Sequence, residues 1–145
     1  QLGASPQIKH RSRLPWWIAQ QEVATYDAFA EPLFVQETAN GTLLLETPTA
    51  NLLAVIHGAI IVPPSEVVLQ GVSQQVVCEL SAQAKIPFHE RPLTLADLDH
   101  ASEVLLTNTT YCLASVTRLG TRTFPLNGPV FSQLMGLWNA LVRQR

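Results

Sequence analysis

Four short stretches of this sequence carry groups that could perform chemistry, and the first is an amine. Lys9 is followed by His10, Arg11 and Arg13 and precedes an apolar segment that begins at Trp16. A lysine amine forms Schiff bases with carbonyl carbons once its pKa is depressed. Neighbouring cations and apolar surroundings both depress that pKa. The alternative, an ordinary surface lysine, stays open from the residues alone.

The second stretch places a carboxylate at the end of an apolar strand. Glu46 follows Leu43–Leu45 and precedes a Thr-Pro-Thr loop that ends near Asn51. A carboxylate in such a position can hold the protonated ring nitrogen of a pyridinium cofactor. A solvated glutamate at a strand end is the commoner alternative. For Asn51 the sequence predicts only that its side chain turns the backbone.

The third stretch, Leu69-Gln70-Gly71-Val72-Ser73, predicts the start of a helix. Gly71 permits backbone geometry that a Cβ resists, and Ser73 is a good candidate for the N-cap. Apolar residues then recur at helical spacing over 74–84. The N–H groups and positive dipole end of a helix start suit a phosphate, although most Gly-x-Ser helix starts bind nothing.

The fourth stretch, Thr109-Thr110, joins two predicted strands. Its hydroxyls could bind phosphate oxygens, or they could simply fill a pleated surface. The four histidines and two cysteines have no metal-ligand spacing, so the sequence predicts no metal site.

Composition limits the partners and the compartment. The 145 residues predict a single domain, 1–145, with a hydrophobic share of 47% and a formal charge of −2. The absence of a basic patch argues against nucleic acid and anionic membranes, and no apolar run reaches the roughly 18 residues of a membrane helix. Cys78 and Cys112 lie in apolar segments, which predicts buried thiols in a reducing compartment, the cytoplasm. The chain opens at Gln1 without a methionine, which leaves open whether it belongs to a longer protein.

Hairpins interspersed with helices predict an α+β fold. Turn signals stand at Asn40-Gly41 and His57-Gly58, and Thr94–Asp97 has the pattern of a capping box. The other predicted elements are helices over 15–26 and 74–84 and one from Pro129, and strands over 33–35, 42–45, 52–56, 59–62, 86–91, 104–107 and 113–116.

Taken together, these stretches resemble the second, C-terminal domain of the class IV aminotransferases, the pyridoxal-phosphate enzymes of fold type IV. That family includes branched-chain and D-amino acid aminotransferases and aminodeoxychorismate lyase. The resemblance covers nearly the whole chain. The matching pieces, in family order, are Ile8-Lys9, Glu46–Asn51, Leu69–Ser73, Glu90-Arg91, Ala101–Glu103 with Leu106–Thr110, and Gly128-Pro129.

The resemblance implies a role for each of seven residues. Lys9 matches the lysine that bonds to the cofactor aldehyde, and Glu46 matches the carboxylate that pairs with the pyridine nitrogen. The remaining matches concern the ring and the phosphate: Leu69 packs against the ring, Gly71 forms the turn, Val72 and Ser73 offer N–H groups to the phosphate, and Thr109 adds a phosphate contact. The implied fold is the larger domain of fold type IV, a hairpin-rich sheet or pseudo-barrel with flanking helices.

The implied function is pyridoxal-phosphate-dependent transfer of an amino group between an amino acid and a 2-oxo acid. The alternatives are aminodeoxychorismate lyase activity, which releases pyruvate by β-elimination, and a non-catalytic remnant. Three departures leave the substrate open: Thr47 replaces a frequent glycine, Gln74 a frequent arginine, and Leu14 the tyrosine of branched-chain enzymes. The resemblance further implies a homodimer, and the family's N-terminal domain, which contributes to the active site, is absent from this sequence.

Overall fold

A five-stranded mixed sheet forms the centre of the part of the chain that the computed structural model describes, residues 14–27 and 30–143. Its strand order is β5-β4-β3-β6-β7, antiparallel except for the parallel pair β4–β5. Two-stranded hairpins, β1–β2 and β8–β9, lie outside it. The strands are β1 (Val35–Thr38), β2 (Gly41–Leu44), β3 (Asn51–Ile56), β4 (Ala59–Val62), β5 (Phe88–Glu90), β6 (Ala101–Asn108), β7 (Cys112–Ser115), β8 (Arg118–Leu119) and β9 (Arg122–Thr123).

Three α-helices and one 3-10 helix accompany the strands. They are α1 (Leu14–Ala24), α2 (Val72–Gln83), α3 (Pro129–Arg143) and the 3-10 helix Ala96–His100. Because α2 connects the parallel strands β4 and β5, it crosses one face of the sheet. The 3-10 helix follows the predicted capping box, in which Thr94 and Asp97 exchange hydrogen bonds between side chain and backbone at 2.7 and 3.2 Å.

Both faces of the central strand β3 are covered. Leu53 and Val55 pack with Val77, Leu134 and other residues of α2 and α3. The alternate side chains of β3 pack on the opposite face, with Leu93, Leu98 and others. All six residues of β3 are therefore buried, which explains why the sequence of this strand is an apolar run rather than a polar–apolar alternation.

A buried carboxylate from strand β6 caps the start of the last helix. Glu103 of β6 is 2% exposed, and its two oxygens accept the N–H groups of Val130 and Phe131 at 2.8 and 2.9 Å. A Cβ on Gly128 would overlap the Glu103 side chain, with its γ-carbon 2.6 Å away. Glycine is thus required at 128 by close approach, and the carboxylate occupies the positive end of α3.

The α+β prediction is confirmed, but several local predictions differ from the structure. The sheet does not close into a barrel within the described residues, since β5 and β7 are its free edges. Strand β1 begins at Val35, although Phe34 already exchanges backbone hydrogen bonds with Leu45 and Glu46. The β8–β9 hairpin was not predicted, because two-residue strands leave no periodic pattern.

The prediction of buried thiols is wrong for Cys78, which is exposed, while Cys112 is half-buried. Cys78 follows the buried Val77 on α2, and adjacent helical residues face different directions. No helix in the described ranges is long and apolar enough to cross a membrane.

Candidate functional site

Three connecting segments meet at one end of the central sheet. The register pairs Asn51, the first residue of β3, with Thr107 near the end of β6. The β6–β7 turn, 109–111, therefore lies at the same end as the β2–β3 loop, 45–50. Strand β4 runs antiparallel to β3 and also ends here, followed by the segment that leads into α2. We call Glu46, Asn51, Leu69–Ser73 and Thr109 the sheet-end site.

Glu46 is bound to the segment before α2 through one carboxylate oxygen. Its Oε2 accepts the backbone N–H of Leu69 at 3.2 Å and the side-chain amide of Asn51 at 3.3 Å. Both of these hydrogen bonds go to Oε2, and Oε1 has no hydrogen-bond partner within the described residues. The carboxylate thus has one anchored oxygen and one that is free to accept a further N–H.

Burial changes the acidity of Glu46. Desolvation raises the pKa of this carboxyl group from 4.5 to about 7, against the opposing effect of the Leu69 N–H, which stabilises the ionised form. The protonated form of this group therefore persists to a higher pH than that of an exposed glutamate. Such a carboxyl group can give a proton to a basic nitrogen and remain beside it as the counter-ion.

The helix start predicted from the sequence is present, but its details differ. Helix α2 begins at Val72, so Gly71 is the N-cap and Ser73 lies within the first turn, 5% exposed. Gly71 has ordinary extended backbone angles, φ −79° and ψ 142°, so the expectation of unusual backbone geometry is wrong. The first helical hydrogen bond joins the Gln75 N–H to the Gly71 oxygen at 3.2 Å, so the N–H groups of Val72, Ser73 and Gln74 precede it.

Thr109 and Thr110 are exposed at the turn that follows β6. The Asn108 side chain shapes this turn, because its Oδ1 accepts the N–H groups of Thr110 and Tyr111 at 2.9 and 3.0 Å. Thr109 comes two residues after Thr107, the partner of Asn51. The strand register therefore brings the predicted phosphate-contacting turn to the same end of the sheet as Glu46.

A second carboxylate supports the β2–β3 loop. Glu31 accepts the hydroxyls of Thr47 and Thr49, each at 2.6 Å, through one oxygen. Burial, with a smaller effect from the Glu31 charge, raises the pKa of Tyr111 to about 12, so this phenol stays protonated. No group of three or more potential metal ligands occurs among the described residues.

The structure thus places at one end of the sheet six of the seven residues that the resemblance singled out: Glu46, Leu69, Gly71, Val72, Ser73 and Thr109. The seventh, Lys9, lies outside the described residues. Sequence reasoning missed Asn51 as part of the site, since its partner Leu69 is 18 residues away. Gln74, which the sequence marked only as a departure from a frequent arginine, has a buried Oε1 with no hydrogen-bond partner within the described chain.

A family model for amino-transferase class IV matches residues 3–119. The chain belongs to the class IV aminotransferases. A curated relative, a probable branched-chain-amino-acid aminotransferase from Thermotoga maritima, is 29% identical over 138 residues, which cover 92% of this chain and 48% of the relative. This class IV chain therefore spans about half the length of the curated relative that it matches.

Solved structures confirm the fold of this class IV chain. A putative branched-chain amino acid aminotransferase from Thermotoga maritima is 26% identical, with a TM-score of 0.81, covering 99% of this chain and 51% of that one. A putative 4-amino-4-deoxychorismate lyase from Legionella pneumophila has a TM-score of 0.81 at 24% identity, covering 92% and 49%. A branched-chain amino acid aminotransferase from Thermobaculum terrenum, solved in its PLP form, has a TM-score of 0.84 at 18% identity, covering 99% and 47%.

Proposed function

We propose that this chain is the cofactor-binding part of a pyridoxal-phosphate enzyme that transfers amino groups between an amino acid and a 2-oxo acid. The observation that carries the proposal is the 3.2 Å hydrogen bond from the Leu69 N–H to Glu46. It joins a carboxylate that suits a cationic ring nitrogen to a helix start that suits a phosphate. Pyridoxal phosphate carries both groups on one small ring, and Oε1 of Glu46, which has no partner within the described residues, leaves an acceptor for the ring nitrogen.

Each residue of the site has a distinct task in this proposal. When bound, the cofactor supplies an electron sink that stabilises negative charge at the substrate Cα. Lys9 would hold the cofactor covalently through its amine, and once the amine of the substrate has displaced it, the freed Lys9 amine would move the Cα proton. Glu46 would give the ring nitrogen a proton and remain beside it as the counter-ion, because the positive charge on the nitrogen favours the ionised carboxylate. Leu69 packs against the ring.

The phosphate contacts come from two elements of the sheet-end site. The N–H groups of Val72 and Ser73 stand in the first turn of α2, where the helix dipole favours an anion. Gly71 lets this turn approach its neighbours closely. Thr109 offers its hydroxyl from the β6–β7 turn, which is exposed.

The substrate class and the assembly are part of the same proposal. We infer that the natural protein is a cytoplasmic homodimer whose small-molecule substrates are an amino acid and a 2-oxo acid. Leu14 stands where branched-chain enzymes carry a tyrosine, which makes a branched-chain substrate less favoured. In the structure Leu14 is 63% exposed at the start of α1.

Aminodeoxychorismate lyase activity is the second candidate. The Legionella pneumophila structure described above and a 4-amino-4-deoxychorismate lyase from Pseudomonas aeruginosa both match this chain with a TM-score of 0.81, equal to the Thermotoga aminotransferase. Both reactions use a lysine, a ring-bound carboxylate and a phosphate site in the same way. The third candidate is a non-catalytic remnant, because the chain spans about half the length of the curated relative that it matches.

Covalent labelling tests the cofactor site directly, because the sequence contains only two lysines, Lys9 and Lys85. Pyridoxal phosphate is added, the adduct is reduced with borohydride, and the labelled peptide is identified by mass spectrometry. We expect the label on Lys9, its loss in Lys9→Arg, and its retention in Lys85→Arg, which is the matched control. A label on Lys85, or equal labelling of both lysines, would contradict the proposed site.

Turnover then separates the three candidates. The experiment uses the protein isolated from its own organism beside the 145-residue chain, because the relatives are about twice the length of this chain. Amino transfer from an amino acid to a 2-oxo acid supports the aminotransferase. Pyruvate release from aminodeoxychorismate without an amino acceptor supports the lyase. Neither activity, together with unlabelled Lys9, supports the remnant.

A further inference from the structure

Asn51 connects the separate parts of the sheet-end site, although it was predicted only to turn the backbone. Its side chain is 7% exposed at the first position of β3. The amide nitrogen donates to the backbone oxygen of Leu69 at 2.6 Å and to Glu46 Oε2 at 3.3 Å. One buried amide therefore contacts the segment that leads into α2 and the candidate ring-binding carboxylate at the same time.

The oxygen of the same side-chain amide explains why residue 71 is a glycine. A Cβ at residue 71 would overlap Asn51 Oδ1, and its next contact would be Asn51 Cγ at 3.4 Å. Apart from the two chain neighbours of Gly71, no other heavy atom of the described residues lies within 4 Å of that position. Since the backbone angles of Gly71 are accessible to any residue, close approach to Asn51 is what requires glycine here.

We propose that Asn51 is the positioning residue of the site: its amide nitrogen holds Glu46 and the Leu69 backbone, and its oxygen packs directly against Gly71 at the start of α2. The functional meaning of this arrangement rests on the proposed cofactor site. Because Oε2 of Glu46 is fixed by the amides of Asn51 and Leu69, Oε1 is the oxygen presented to a ligand. Asn51 itself touches no reacting atom in this assignment and acts through Glu46 and Gly71.

A double-mutant cycle tests the contact with Gly71. The variants Gly71→Ala, Asn51→Ala and the double variant are compared by urea unfolding of the 145-residue chain. In the wild-type background we expect Gly71→Ala to raise the unfolding equilibrium constant by about tenfold or more, since an added methyl overpacks the site. In the Asn51→Ala background the same change should have little effect, because the overlapping atoms are gone.

Matched controls exclude general effects of these substitutions. Gly136 lies in α3 with no atom near its Cβ position, and Asn139 is exposed on the same helix. We expect Gly136→Ala and Asn139→Ala to be additive with each other. An additive cycle for residues 51 and 71 would overturn the proposed contact.

A second measurement addresses Glu46 and does not depend on the alanine variant being stable. The carboxyl carbon of Glu46 is titrated by NMR in the wild-type chain, in Asn51→Ser and in the Asn139→Ala control. Loss of an N–H donor to the ionised carboxylate should raise its pKa in Asn51→Ser. The control should leave it unchanged. An unaltered titration in Asn51→Ser would overturn the role of Asn51 toward Glu46.

Neither measurement uses a cofactor, so the role of Asn51 and the proposed cofactor site can be refuted independently of each other. A chain with a coupled cycle and a shifted Glu46 titration supports the assignment of Asn51 even if Lys9 is not labelled by pyridoxal phosphate. Conversely, labelling of Lys9 with an additive cycle and an unaltered titration supports the cofactor site and overturns the positioning role of Asn51.

Discussion

The raised pKa of Glu46 makes the free energy of unfolding of the chain depend on pH. A single substitution of Glu46 should remove this dependence. In the folded chain the carboxyl group titrates at about 7, whereas its ordinary value is 4.5. Between these values the folded chain binds a proton that the unfolded chain has already released. The free energy of unfolding therefore falls as the pH rises from about 4.5 to 7 and then levels off.

The size of this effect follows from the two pKa values. At about 1.36 kcal/mol per pKa unit, a rise from 4.5 to about 7 corresponds to an upper limit between about 3 and 4 kcal/mol. Glu46 is only half-buried, and water screens part of its charge, so we expect about 1–2 kcal/mol. Glu46→Gln keeps the shape and an acceptor for Leu69 but cannot titrate.

The assay is urea unfolding at pH 4.5, 6 and 8, followed by tryptophan fluorescence. We expect the wild-type chain to lose about 1–2 kcal/mol relative to Glu46→Gln between pH 4.5 and 8. Glu66→Gln, at an exposed turn after β4, controls for the removal of a surface carboxylate. A difference between the wild-type chain and Glu46→Gln that is constant over this pH range would refute the reasoning.

Three further predictions concern stability. Glu103→Ala should lower the free energy of unfolding, measured in urea, by about 3–5 kcal/mol, because two N–H groups at the start of α3 lose their buried acceptor. A loss below about 1 kcal/mol would contradict this prediction. Gly136→Ala should stabilise the chain by about 0.5–1 kcal/mol, because residue 136 is exposed in the middle of α3 and has open space for a methyl group. The measurement is the melting temperature, which should rise; a lower melting temperature would count against the prediction. The hydrogen bond from Arg91, then the hydrogen bonds from Thr94 and last the charge of Arg91, lower the pKa of Asp97 to about 2. Asp97→Asn should therefore lower the free energy of unfolding by about 1 kcal/mol at pH 7, and this loss should shrink as the pH falls from 4 through 2. A loss that does not change with pH would contradict the assignment.

Elements built by local rules were predictable from the sequence. The His57-Gly58 turn joins β3 to β4 with both residues at positive φ, 50° and 77°, as its composition indicated. The capping box at Thr94 and the helix that opens with Pro129 also follow from residues within one turn of each other. Such signals are contained in short windows, and a single sequence is sufficient to identify them.

Features that depend on distant residues were not predictable. The role of Gly71 was assigned to its own backbone, yet it arises from Asn51, which is 20 positions earlier in the chain. Ser73 looked like an N-cap because of its type, but α2 begins one residue before it. The positions of Glu46 and Thr109 at one sheet end follow from strand register, which only the folded structure provides.

Strand β3 gives the sheet-end site an unusual degree of preorganisation. Its six residues are all buried, and it is hydrogen-bonded to β4 on one side and β6 on the other. Strands of this kind open to solvent only when a large part of the domain unfolds. Asn51 heads this strand and pairs with Thr107 of β6, so its bonds to Glu46 and Leu69 form as part of the folded sheet. The conformational entropy of ordering these contacts is therefore lost when the chain folds, and a ligand that arrives later does not have to compensate for it.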